Sequence, residues 1–306
     1  MNAPIRPFPT EPGIREFLEV CATFFPEDGG DGSMTQRRSC YDAMCARFDR
    51  PLPQGMAVED GLVEGVAVRR YLPAQRRTPT LLYYIHGGGF VLGSLQSHHA
   101  ICAELAEHAG AELVSVDYRL APEHVWPAQT DDCFAVLQHL LAKGHKVVLI
   151  GDSAGGNLAA GLSIRARDSG LPGIVGQALI YPVLGGDLVS GSYTQMAEAP
   201  GLTTADVLYF REVLQAPADA PVAHPLLLQS LSGLPPTYIT VAHFDPLRDD
   251  GRAFAGRLAE AGIEVWFREE PQMVHAWLRA RYMSDGARQG FEALCAAVGR
   301  MAAQSR

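Results

Sequence analysis

Downstream of residue 56 the chain alternates short apolar runs with stretches of helical periodicity. The runs at 62–71, 80–85, 112–118, 147–150, 176–181, 237–242 and 264–268 read as strands. Between them, apolar positions recur at helical spacing over 97–108, 127–142, 154–168, 248–261 and 285–303. Several runs are apolar throughout, as strands buried on both faces require. This is the pattern of an α/β protein with a mostly parallel sheet flanked by helices. Two regions break it. Residues 1–55 read as irregular apart from a helix over 35–48, with a loop rich in Gly and acids at 26–33. An insertion over about 185–225, with one helix at 204–214, interrupts the alternation, and insertions of that length often cover a binding site. The expected organisation is an N-terminal cap segment over 1–55 and a catalytic domain over 56–306 that carries the cap insertion.

Composition narrows the function classes. The chain has 306 residues, 47% hydrophobic and 19% charged, with a net charge of −9. That is a globular composition long enough for a large core. No cluster of Lys or Arg points to nucleic acid, and no apolar run is long enough to span a bilayer. The six cysteines at 21, 40, 45, 102, 133 and 295 show no metal or redox spacing, so they read as buried apolar residues in a reducing compartment. The N-terminus lacks the apolar core of a signal peptide. The expectation is a cytoplasmic protein, with the choice between monomer and homodimer left open.

The chemistry lies at strand ends. The run 147–150 leads into Gly151-Asp-Ser153-Ala-Gly155, and a helix follows. This is G-x-S-x-G in the strand–turn–helix setting that lifts a serine to the start of a helix, where the dipole favours negative charge. Upstream, the run 80–85 ends in His86-Gly-Gly-Gly89, whose glycines allow backbone N–H groups to approach a substrate oxyanion. His86 lies too close to that loop to serve as a base and reads as its structural hydrogen-bonder. Three histidines follow Ser153: His224 in the insertion, His243 at a strand end, and His275 just after the last strand. His275 occupies the place of a general base in the order Ser, acid, His. Asp245 follows the run 237–242 and is positioned to fix the imidazole tautomer, whereas Asp249 and Asp250 suit the first turn of the next helix.

Together, His86-Gly-Gly-Gly89, Tyr118-Arg-Leu-Ala-Pro-Glu123, Gly151-Asp-Ser-Ala-Gly-Gly156, Asp245-Pro-Leu-Arg-Asp249 and His275 resemble the hormone-sensitive lipase family of bacterial esterases, in its GDSAG subgroup. The resemblance implies the α/β-hydrolase fold with a helical cap. It also implies a catalytic triad of Ser153, Asp245 and His275 and an oxyanion hole formed by Gly88, Gly89 and the N–H of Ala154. The activity implied is hydrolysis of small carboxylic esters through an acyl-enzyme, without metal or organic cofactor. Arg119 and Glu123 are expected to join in one ion pair or hydrogen-bond network near the serine. An amidase or aryl-formamidase would use the same groups. A ligand-binding protein on a hydrolase scaffold is the rival of another class, and the intact triad argues against it. The sequence departs from the family after the histidine, where Ala276-Trp277 replaces the usual Gly-Phe. Trp277 is expected to narrow the acyl pocket and favour short acyl chains. Phe17, Leu18, Phe24 and Phe25 are expected to line or cover that pocket.

Overall fold

A computed structural model describes residues 8–25 and 32–303. Residues 26–31, most of the loop expected at 26–33, lie outside the described residues. The chain begins with helices α1 (Pro12–Ala22) and α2 (Met34–Arg47). It continues through β1 (Ala57–Val63), β2 (Val66–Leu72), β3 (Leu81–Ile85), α3 (His99–Ala109), β4 (Leu113–Asp117), α4 (Ala128–Ala142), β5 (Val147–Asp152), α5 (Ala154–Asp168) and β6 (Ile174–Ile180). After the insertion, which carries α6 (Gly191–Gln195) and α7 (Thr204–Leu214), come β7 (Thr237–Phe244), α8 (Arg248–Glu260), β8 (Val265–Val274) and α9 (Asp285–Ala303).

The strands form one eight-stranded sheet in the order β1-β2-β4-β3-β5-β6-β7-β8. From β4 to β8 every pairing is parallel, while β2 runs antiparallel to both β1 and β4. Period-two alternation sends successive side chains to opposite faces. In β3, Leu82 and Tyr84 enter the core shared with α3 and α9, and Leu81, Tyr83 and Ile85 enter the core shared with α4, α5 and α8. The order reverses at β3, whose successor β4 lies on one side and β5 on the other. Such a switch point opens a crevice at the C-terminal strand ends. The glycine loop after β3 and the serine turn after β5 therefore emerge side by side.

Three features depart from the sequence expectations. The run at 62–71 is not one strand but the two arms of a hairpin, in which Val63 pairs with Val66. Glu64 and Gly65, at φ 53° and 81°, make the two-residue turn, which needs positive φ at both positions. The segment expected to be irregular contains α1, which starts with Pro in its first turn and buries Ile14 and Phe17. Burying two such side chains contributes roughly 1.5–3 kcal/mol each. Finally, β8 extends to Val274 rather than ending near 268, so His275 follows the strand directly.

Candidate active site

Ser153 links β5 to α5 with φ 56° and ψ −117°, a strained backbone for a residue with a Cβ. The flanking glycines permit this turn. A Cβ on Gly155 would run into the Ile85 carbonyl oxygen, and one on Gly151 into that of Gly155. The serine Oγ lies 2.9 Å from His275 Nε2, and His275 Nδ1 lies 2.7 Å from Asp245 Oδ2. Asp245 is buried at the end of β7, and its other oxygen accepts the Leu247 N–H at 2.8 Å. With an acceptor carboxylate at Nδ1, the neutral imidazole carries its proton there and presents Nε2 to the serine hydroxyl. The Tyr181 ring packs on His275 at 4.7 Å between centroids and fixes the imidazole plane.

The glycine loop faces the same serine. Gly88 and Gly89 have φ of 123° and 63° and line the pocket with Ser153. A Cβ on Gly89 would come within 2.5 Å of the Phe210 ring. No acceptor among the described residues takes the Gly88 or Gly89 N–H. Ala154 is the first residue of α5, so its N–H has no carbonyl partner within the helix. Asp152, just before the serine, ties this loop down by accepting the Gly87 N–H at 2.9 Å and the Tyr84 hydroxyl at 2.8 Å.

His86 is held as expected, with Nδ1 2.9 Å from the Gly87 carbonyl, its ring stacked on Tyr118 at 4.3 Å, and its own carbonyl accepting the Tyr118 hydroxyl at 2.8 Å. Burial, reinforced by His98, lowers its pKa to about 3, so it stays neutral at physiological pH. His243 instead pairs with Glu269 at 2.8 Å. His224 lines the pocket, but its Nε2 has no partner among the described residues. Asp249 and Asp250 sit in the first turn of α8. Asp249 accepts the Ser192 N–H at 2.8 Å, and Asp250 accepts the N–H of Leu184 and the Tyr193 hydroxyl at 2.7 and 3.1 Å. Both therefore anchor the insertion to α8.

Two expectations are corrected here. Arg119 and Glu123 do not join each other. Arg119 forks onto Asp132 with its closest contact at 2.8 Å, and Glu123 pairs with Arg38 of α2 at 2.6 Å. The 118–123 segment thereby bonds outward to α4 and to the N-terminal region. Trp277 does not line the pocket. It is fully buried in the core shared with α9, edge-on to Tyr181 at 6.2 Å and pressed against Gly290. Its neighbour Ala276, at φ 63°, does line the pocket. In this left-handed turn, residue 276 faces the cavity while residue 277 faces the core.

The pocket has a volume of about 510 Å³. Phe17, Leu18 and Phe25 line it from the α1 side, and Leu202, Val207 and Phe210 from the insertion, whereas Phe24 packs on the core instead. The sequence reading missed a polar cluster beneath the serine, in which Arg279 reaches His98 at 3.1 Å and His98 lies 3.4 Å from Asp152. Nothing in residue spacing signals that these three are buried together.

Comparison with known proteins identifies the family of the fold. The profile of a family described as having the alpha/beta hydrolase fold matches residues 82–279. The chain is 40% identical over 235 residues to the esterase LipI of Mycobacterium tuberculosis, covering 72% of this chain and 73% of that protein. It is 37% identical over 290 residues to the carboxylic ester hydrolase LipN of the same organism, covering 88% and 76%. The solved structure of an esterase from the bacterial hormone-sensitive lipase family superposes with a TM-score of 0.87 at 26% identity, over 96% of this chain and 99% of that one. The chain belongs to the α/β-hydrolase fold family, in its bacterial hormone-sensitive lipase branch.

Proposed function

We propose that this protein is a serine carboxylesterase acting on small, short-chain carboxylic esters. The observation that carries the reading is the unbroken chain from Asp245 through His275 to Ser153, at 2.7 and 2.9 Å, in the wall of a largely apolar pocket. In the proposed reaction, His275 Nε2 takes the Ser153 proton as Oγ attacks the ester carbonyl. The N–H groups of Gly88, Gly89 and Ala154 receive the oxyanion. Collapse of that intermediate breaks the C–O bond, and His275 returns the proton to the departing alcohol. Water, deprotonated by the same imidazole, then releases the acid. Asp245 stabilises the imidazolium throughout. These groups all come from one chain, and the reaction needs no metal, organic cofactor or nucleic-acid partner.

Relatives named esterases and carboxylic ester hydrolases favour ester over amide hydrolysis. A cavity of about 510 Å³ fits a small ester better than a long-chain triglyceride. The N-terminal segment and the 185–225 insertion act as a cap, because their apolar side chains roof that cavity. Six free cysteines fit a reducing cytoplasm, and no helix among the described residues is long and apolar enough to cross a membrane. A panel of p-nitrophenyl esters of increasing acyl length, with a p-nitroanilide control, tests this reading. The expected profile peaks at roughly two to six carbons and declines gradually, because each methylene is worth only about 1–3 kcal/mol. A faster anilide, or turnover still rising at long acyl chains, contradicts it.

A further inference from the structure

Arg279 sits in the turn after Trp277, four positions beyond the histidine, and is only 3% exposed, yet it lines the same cavity as Ser153. A guanidinium carries five N–H donors and is always charged. Here Nε points to Cys45 Sγ at 3.1 Å, and Nη2 points to the Tyr41 hydroxyl at 2.9 Å and to His98 Nε2 at 3.1 Å. Burial keeps the His98 imidazole neutral, and its Nε2 also lies 3.3 Å from Asp152 Oδ1, so the ring stands between the guanidinium and that carboxylate. The side chains within hydrogen-bond distance of Arg279 are uncharged, and the Asp152 carboxylate acts on it only from across His98, while accepting from Gly87 and Tyr84.

The two hydrogens of Nη1 have no acceptor among the described residues, and Arg279 is one of the residues that line the cavity. Phe17 and Met44 line the same cavity with apolar side chains, and the Tyr41 ring lies against the guanidinium at 5.3 Å. A cation stripped of most of its water, with open donors in an apolar cavity, is unfavourable until something accepts them. Because the reactive serine opens on the same cavity, the natural acceptor is the substrate.

We propose that Arg279 is a second recognition point of this pocket, binding a hydrogen-bond-accepting oxygen, carbonyl or carboxylate, that the substrate carries beyond its scissile ester. The proposal rests on the esterase reading above and narrows its substrate class: the enzyme prefers esters with a second oxygen function over plain alkyl esters of equal length. Arg279 acts here as a specificity residue and takes no part in the bond changes.

The test compares p-nitrophenyl hexanoate with p-nitrophenyl 5-oxohexanoate, which carries a neutral carbonyl, and with the p-nitrophenyl half-ester of glutaric acid, which carries a carboxylate. Wild-type kcat/KM should favour at least one oxygen-bearing ester over hexanoate by roughly tenfold. A gain confined to the half-ester identifies an acid substrate, and a gain on both identifies a carbonyl acceptor. In Arg279→Met that ratio should collapse toward one, whatever happens to the absolute rates. Arg279→Lys, which keeps a charge but loses the planar fork, should retain part of it and serves where the methionine variant folds poorly. No preference in the wild type, or an unchanged ratio in either folded variant, overturns the proposal and means that Nη1 is merely hydrated. Calorimetric binding of the same compounds to Ser153→Ala protein reads the preference without turnover. Failure of the esterase reading and failure of this proposal are thus seen separately.

Discussion

Asp250 gives a prediction whose sign follows from burial alone. Its carboxylate is 2% exposed, on the first turn of α8, and accepts the N–H groups of Leu184 and Gly186 and the Tyr193 hydroxyl. Burial raises its pKa from 3.8 to about 6, against the lowering effect of those donors and with some help from Asp245. Between the two values the folded chain holds a proton that the unfolded chain has released. Stability from this group is therefore fully present below the unfolded pKa and is lost as pH rises through the folded one. A shift of that size corresponds to about 3 kcal/mol in the limit, of which about 2 kcal/mol falls between pH 4.5 and 8. Asp250→Asn keeps an acceptor oxygen and removes the charge, so it should abolish this component. Urea unfolding of wild type and variant across that pH range, with constant m-values, gives the difference directly. The variant should gain about 2 kcal/mol relative to wild type from the acidic to the alkaline end. Two parallel stability curves would show that Asp250 does not titrate as its burial dictates.

Asp245→Asn should lower kcat by about 10³–10⁴ with the fold intact, because it removes the acceptor that sets the imidazole tautomer. Asp249→Asn should cost far less activity, since Asp249 braces the insertion and ion-pairs with Arg248 and Arg252; steady-state kinetics with circular dichroism as a fold check compares the two. Trp277→Phe should leave the profile of kcat/KM against acyl length unchanged in shape while altering the melting temperature, because the indole is fully buried away from the pocket. A profile shifted toward longer chains would put that ring back in the acyl wall.

The parts of this molecule legible in the sequence are those that a backbone requirement writes locally. The strand–turn–helix around Ser153 needs glycines at 151 and 155, and those glycines announce it. Asp245 and His275 could be placed because each follows an apolar run, and the sheet carries both to one edge of the crevice. What stayed hidden depends on direction and on distant partners. The Glu64-Gly65 turn was masked by apolar residues on both sides of it. Helix α1 showed its Pro at the start and its buried Ile14 and Phe17 at helical spacing, but it stands outside the α/β alternation that organised the rest of the reading. Glu123 finds its cation on α2, 85 residues away, and no local pattern encodes that choice. Trp277 lies two residues from the base yet faces the other side of the sheet edge, since one left-handed residue at 276 reverses the chain. The burial of Arg279 likewise follows from where α2 and the 277–280 turn meet, a tertiary fact with no counterpart in composition.

The central claim is that Ser153 is the nucleophile, and covalent trapping tests it most directly. Wild-type protein is treated with a p-nitrophenyl alkylphosphonate, the released nitrophenol is counted, and the modified peptide is located by mass spectrometry. The account predicts one phosphonyl group per chain, attached to Ser153, with esterase activity falling in proportion to labelling. It also predicts no labelling of Ser153→Ala, whose turnover should be lower by about 10⁴–10⁶. Full activity in chains quantitatively labelled at Ser153, or near-wild-type ester turnover by Ser153→Ala, would contradict it.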